Sequence, residues 1–255
     1  MSITLETPFS VLPELIALHA KNRGSHPALI QDAQQLNYQE LNQKVDQVAA
    51  ALQRDGFNPG DSIAICGNNS IPYALLYIGA LRAGMVVAPL APSSTPEGLA
   101  TMIKDSRPEQ GFSQWLADAK PAPVTISPEM PFNIIYSSGT TGEPKGIVQS
   151  HGMRWSHIQR GIVFDYGPEC VTLISTPLYS NTTLVSFLPS IGLGGTVVLM
   201  AKFDAAKYLK LAEQLGVTHT MLVPVQYQRI MAREDFDSYD LSRFHMKFST
   251  SAPFH

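Results

Sequence analysis

Residues 132–146 read FNIIYSSGTTGEPKG. The first six form a short β-branched and aromatic run, the mark of a buried strand. From Tyr136 to Gly146 the chain then packs three glycines, a Ser/Thr run, one proline and one lysine into eleven residues. Such a stretch is either a surface loop or a cradle for phosphate. Glycines let the backbone approach an anion closely and turn successive N–H groups toward it. Ser137, Ser138, Thr140 and Thr141 add hydroxyls, and Lys145 adds a point positive charge. The loop also leaves the end of a strand, where ligands of open parallel sheets sit. The spacing departs from the G-x-x-x-x-G-K-[ST] pattern, because Lys145 is followed by Gly146 and not by a magnesium-binding hydroxyl. The residues lean toward the cradle without closing the question.

Outward from this stretch, short strand-like runs alternate with helical periods. Residues 10–22 read as a helix. Over Asn37–Gly56 the helical signal is clearest: Asn37 caps, Glu40 sits at the capping-box position, and Leu41, Val45, Val48 and Leu52 share one face. Strands are predicted at 62–66, 85–90, 132–137, 146–150, 171–175, 196–200, 217–223 and 246–250. Helices are predicted at 70–82, 96–104, from 152 onward, and at 181–191, 204–215 and 225–233. The polar stretch 105–130, with Pro108, Pro121, Pro123 and Pro128, reads as a linker or a weakly structured connection. Strands alternating with helices imply an α/β fold of mostly parallel sheets flanked by helices. Approximate subdomains are expected at 1–128 and 129–255.

Composition narrows the function class. The 255 residues are 44% hydrophobic but only 15% charged, with a formal net charge of −3. Basic residues are scattered, so no nucleic-acid partner or anionic-membrane surface is indicated. Cys66 and Cys170 lie far apart, outside any CxxC or Cys/His spacing, and both read as buried, reduced thiols of a cytoplasmic protein. The opening MSITLETPFS lacks a basic segment followed by an apolar core, so no secretory signal is read. Residues 170–201 carry no charge over a length that could cross a bilayer. Pro177, Pro189, Gly192, Gly194 and Gly195 interrupt them, however, and a buried strand–helix–strand is the better account. None of the seven histidines stands in a metal-binding pattern. His151 reads as a structural residue closing the strand after the glycine-rich loop, and no metal-ligating or catalytic side chain is assigned.

The motif YSSGTTGEPKGIVQSH (136–151) closely resembles the phosphate-loop signature of the adenylate-forming, or AMP-binding, superfamily. Its members include acyl- and aryl-CoA synthetases, luciferases and amino-acid adenylation domains. The resemblance continues in GFNPGDSIAICGNNSIPYALLYIGALRAGMVVAPLAP (56–92), STPLYSNTTL (175–184) and MKFSTSAP (246–253), so it covers nearly the whole chain. It implies the incomplete N-terminal domain of an enzyme that joins a fatty or aromatic acid to ATP as an acyl-adenylate, then transfers it to coenzyme A. By that analogy Ser137, Ser138, Gly139, Thr140, Thr141, Gly142 and Lys145 hold the β- and γ-phosphates, with Mg2+ bridging them. Ser251, Ala252 and Pro253 line the adenine, and Tyr179, Ser180 and Asn181 face the small-molecule carboxylic acid. A homodimer is a possible assembly.

The departures matter equally. Ser180 stands where many acyl- and aryl-acid members carry histidine. The magnesium-binding acidic segment, ribose-binding aspartate, hinge and C-terminal lysine of the family are absent. The chain therefore reads as truncated, without its C-terminal lid domain, and as unable alone to complete the reaction. Two alternatives stay open: an amino-acid adenylation domain, and a non-catalytic nucleotide-binding or interaction module. The first is weakened because no acidic residue between Glu169 and Asp204 could pair with a substrate ammonium.

Overall fold

The computed structural model describes residues 3–92, 111–137 and 145–250, with only the backbone of Ser137. The helix expected at 96–104 lies outside the described residues. The first helix, α1 (Leu12–Arg23), precedes a two-stranded hairpin, β1 (Pro27–Gln31) and β2 (Gln34–Asn37). Helix α2 (Tyr38–Arg54) follows directly, then β3 (Ser62–Cys66), α3 (Ile71–Arg82) and β4 (Val86–Leu90). After a short α4 (Phe112–Trp115) come β5 (Pro131–Ser137), β6 (Lys145–Ser150) and α5 (His151–Gly161). The chain continues through β7 (Val171–Ile174), α6 (Asn181–Gly192), β8 (Thr196–Leu199), α7 (Ala205–Gln214), β9 (His219–Leu222), α8 (Pro224–Met231) and β10 (Met246–Ser249).

The strands form two sheets, one ordered β10-β9-β7-β8-β1-β2 and the other β3-β4-β5-β6. Every described pairing is parallel except the hairpins β1–β2 and β5–β6. Each sheet draws strands from both sides of residue 128. The charge-free stretch 170–201 resolves into β7, α6 and β8, and among the described residues no helix is long and apolar enough to cross a membrane.

Local chemistry explains the elements. The Asn37 side chain accepts from the Glu40 backbone N–H at 2.8 Å, and the Glu40 carboxylate accepts from the Asn37 N–H at 2.9 Å. This capping box satisfies two orphan donors of α2. Leu41, Val45, Val48 and Leu52 are all buried, and Gly56 takes a left-handed φ of 92° just beyond the helix end. Strand β8 is buried on both faces. Val197 and Leu199 enter a core joining the two sheets through α1, α2, α3, α5 and α6. Val198 points the other way, against Tyr208, Leu209 and Ala212 of α7.

Two expectations need correction. The hairpin β1–β2 has no counterpart in the sequence reading, for its strands are rich in glutamine and its Asp32–Ala33 turn lacks glycine. Asp32 itself supplies the positive φ of 52°. Of the two cysteines only Cys170 is buried. Cys66, the last residue of β3, is exposed because that end of the strand lies open.

Candidate functional site

Parallel strands bring their carboxyl ends to one side of each sheet, and here the two sets of ends converge. A crevice of about 230 Å³ is lined by Asn68 and Asn69 after β3, Pro92 after β4, Ser175, Pro177 and Tyr179 after β7, and Ala201 after β8. Asn69 ties these ends together. Its buried amide donates to the carbonyls of Thr176 (2.9 Å) and Met200 (3.2 Å), and its Oδ1 accepts from the Leu178 N–H (2.8 Å). Sequence reading missed Asn69, since its partners lie more than a hundred positions away.

Tyr179, Ser180 and Asn181 lie together between β7 and α6. Tyr179 is half-buried in the crevice wall. Ser180 precedes α6, but its hydroxyl pairs with that of Thr182 at 2.7 Å and caps no backbone N–H. Asn181 opens the helix, and its Oδ1 accepts from Arg154 Nη2 at 3.0 Å and from Gln149 Nε2 at 3.4 Å. Arg154 is 1% exposed; its Nε donates to Asn133 Oδ1 at 2.9 Å and its guanidinium lies 5.8 Å from the Phe132 ring centre. Burial lowers its pKa somewhat, against a baseline so high that it stays charged.

Lys145 is exposed and sits opposite Ser137 in the register of β5 and β6. The strands that flank the glycine-rich segment, β5 and β6, are therefore paired antiparallel up to its two ends. Ser138, Gly139, Thr140, Thr141 and Gly142, like Ser251, Ala252 and Pro253 beyond β10, lie outside the described residues, as does the side chain of Ser137. Lys145 has no ion pair among the described residues. No group of three or more His, Cys, Asp or Glu side chains able to hold a metal occurs among the described residues.

His151 is 3% exposed, edge-on to Phe132 with ring centres 5.0 Å apart, and burial pushes its pKa down to about 4. Beside α6 a second, more apolar cleft of about 120 Å³ is lined by His157, Gly161, Tyr166, Val185, Met221 and Phe248, among others. Val185 stands four residues beyond Asn181, on the same face of α6.

These features define a class: an α/β protein with a crevice where the carboxyl ends of two mostly parallel sheets meet. The family model described as AMP-binding enzyme matches residues 16–114 and 107–255, and the chain belongs to that family. It is 26% identical over 266 residues to a fatty acid–[acyl-carrier-protein] ligase, ScoC, of Streptomyces coeruleorubidus, covering 91% of this chain and 51% of that protein. An indoleacetate–CoA ligase of Aromatoleum aromaticum is 28% identical, with coverages of 92% and 54%. A feruloyl-CoA synthase of an Amycolatopsis species is 30% identical, with coverages of 86% and 50%. The chain thus spans about half the length of these relatives. Among solved structures, the N-terminal domain of FACL13 from Mycobacterium tuberculosis superposes with a TM-score of 0.86 at 20% identity, covering 97% of this chain and 71% of that one. ATP-bound MatB from Rhodopseudomonas palustris gives 0.82 at 23%, with coverages of 95% and 55%. The α/β fold and the family expected from the motifs are those found.

Proposed function

We propose that this chain forms the ATP- and acid-facing part of an AMP-forming acid–thiol ligase. The complete enzyme activates a fatty or aromatic carboxylic acid with ATP and passes the acyl group to coenzyme A. The observation that carries this reading is the convergence of strand ends on one crevice, with the Lys145 hairpin at the end of β5. ATP turns a poor acyl donor into one with a good leaving group. The chain's own part is to hold and orient. Lys145 and the hydroxyls of the glycine-rich segment, Ser137 to Thr141, fix the phosphates and offset the charge that builds on the departing pyrophosphate. Tyr179, Ser180 and Asn181 place the acid, and Ser251 to Pro253 seat the adenine. The relatives that support this assignment differ in acid and in acceptor thiol. The chain spans about half the length of these relatives, and its part in the reaction is to bind and orient.

Lys145→Ala in the complete protein tests the reading. Acid-dependent pyrophosphate release should fall by roughly a hundredfold to a thousandfold, the cost typical of losing one charge-stabilising donor. Unchanged kinetics would mean that the hairpin is not the phosphate cradle.

A further inference from the structure

Arg154 is buried and Arg82 is largely so, and their charges are met differently. Arg82 is clamped between α1, α2 and α3 and pairs with the Asp46 carboxylate at 2.7 Å. Arg154 has no carboxylate among the described residues. Its partners are the Asn133 and Asn181 side-chain oxygens and, at 3.4 Å, Nδ1 of His157. Every one of these contacts has a fixed polarity, because a guanidinium donates and cannot accept. Asn133 and Asn181 must turn their oxygens toward Arg154, and His157 must offer an unprotonated Nδ1.

The far side of each group is thereby fixed as a hydrogen-bond donor. Asn133 Nδ2 is without a partner among the described residues, but at 0% exposure it belongs to the core. Asn181 Nδ2 has none among the described residues, and its oxygen is already taken twice. His157 is left with its proton on Nε2 while its ring lines the cleft shared with Val185. A neighbouring full positive charge also polarises the amides and strengthens them as donors. Asn181 and His157 are half-buried, so their donors stay within reach of a ligand, and a site built around donors favours a ligand that brings an acceptor.

We infer that Arg154 is a positioning residue that sets the wall at Asn181 and His157 as hydrogen-bond donors, and so selects acids carrying an acceptor oxygen in the acyl portion. This rests on the proposed acid-facing role of Asn181 and names the substrate class within it.

The test uses the complete protein and matched acids that differ by one acceptor oxygen: levulinate against pentanoate, and each anisate isomer against the ethylbenzoate of the same substitution. The readout is the ratio of kcat/KM within each pair, from acid-dependent pyrophosphate release. A ratio does not depend on the folded fraction of a variant. The wild type should favour the oxygenated acid by about tenfold or more in at least one pair. Asn181→Leu should bring that ratio close to one, as should Arg154→Met, which frees the amide to rotate. Arg154→Lys, which keeps a donor facing both amides, should restore most of it. A flat ratio in the wild type overturns the inference, and so does a ratio that Asn181→Leu and Arg154→Met leave unchanged while both acids slow alike. Those results leave acid activation standing, whereas pyrophosphate release with no acid at all would overturn both readings.

Discussion

Asn69 shows how much one side chain can hold. Its three hydrogen bonds join the turn after β3 to the turns after β7 and β8, the elements that shape the crevice. Asn69→Ala leaves two carbonyls and one N–H of the backbone unpaired where water has little access. A loss of about 2–4 kcal/mol is expected in urea unfolding, and a loss under 0.5 kcal/mol would show that the turns hold themselves, as neutral substitutions do. His151 makes a different prediction, in pH. Its folded pKa of about 4 lies below the ordinary 6.5, so the unfolded chain takes up the proton first. The stability tied to the neutral ring is complete above about pH 6.5, declines as pH falls toward about 4, and then levels. Over that window the loss is on the order of 2–3 kcal/mol. His151→Gln should flatten the slope there, as read from urea midpoints across the pH range. An equally steep slope would assign the acid sensitivity to other buried histidines, such as His219 or His19.

Helices α2 and α3 meet at a glycine. A Cβ placed on Gly79 would lie 2.5 Å from the Val48 Cβ, so the two backbones approach as closely as they do because position 79 has no side chain. Gly79→Ala should cost about 1–3 kcal/mol through overpacking. Val48→Ala alone should cost about 2 kcal/mol through the cavity it leaves. Together they should cost at least about 1 kcal/mol less than the sum, since each relieves the other; strict additivity in denaturant titrations would place the strain elsewhere. The same two helices show what could be read from the sequence. The cap at Asn37, the apolar face of α2 and the left-handed Gly56 follow from local residue chemistry, and all three are present. β1 and β2 could not be read that way. Gln31, Gln34 and Gln35 carry no alternating pattern, and the hairpin exists because β8 gives β1 a partner. The site divides along the same line. The glycine-rich segment and Tyr179–Asn181 are contiguous runs and stand out in the sequence. Asn69 and Arg154 act only through partners brought to them by the fold.

On the scale of the molecule, the two sheets are interleaved in sequence. Strand β1 comes early in the chain, yet on its parallel side it pairs with β8, Leu29 with Val197 and Ile30 with Val198. Tyr38, just after the hairpin, likewise donates its buried hydroxyl to the carbonyls of Ile191 (3.0 Å) and Gly195 (2.7 Å). Neither partner exists until most of the chain has been made, and a two-strand hairpin is marginal in water on its own. During synthesis at ordinary ribosomal rates, β1 would wait roughly ten to thirty seconds for β8. Stalled nascent chains ending before Thr196 should be cut by protease within residues 27–37, and chains that expose all of β8 should be protected. Early protection would mean that the hairpin finds another shelter. The late pairing sets a timetable for the cell: the amino-terminal hairpin has to be kept from wrong partners for most of the time the ribosome spends on this stretch of message.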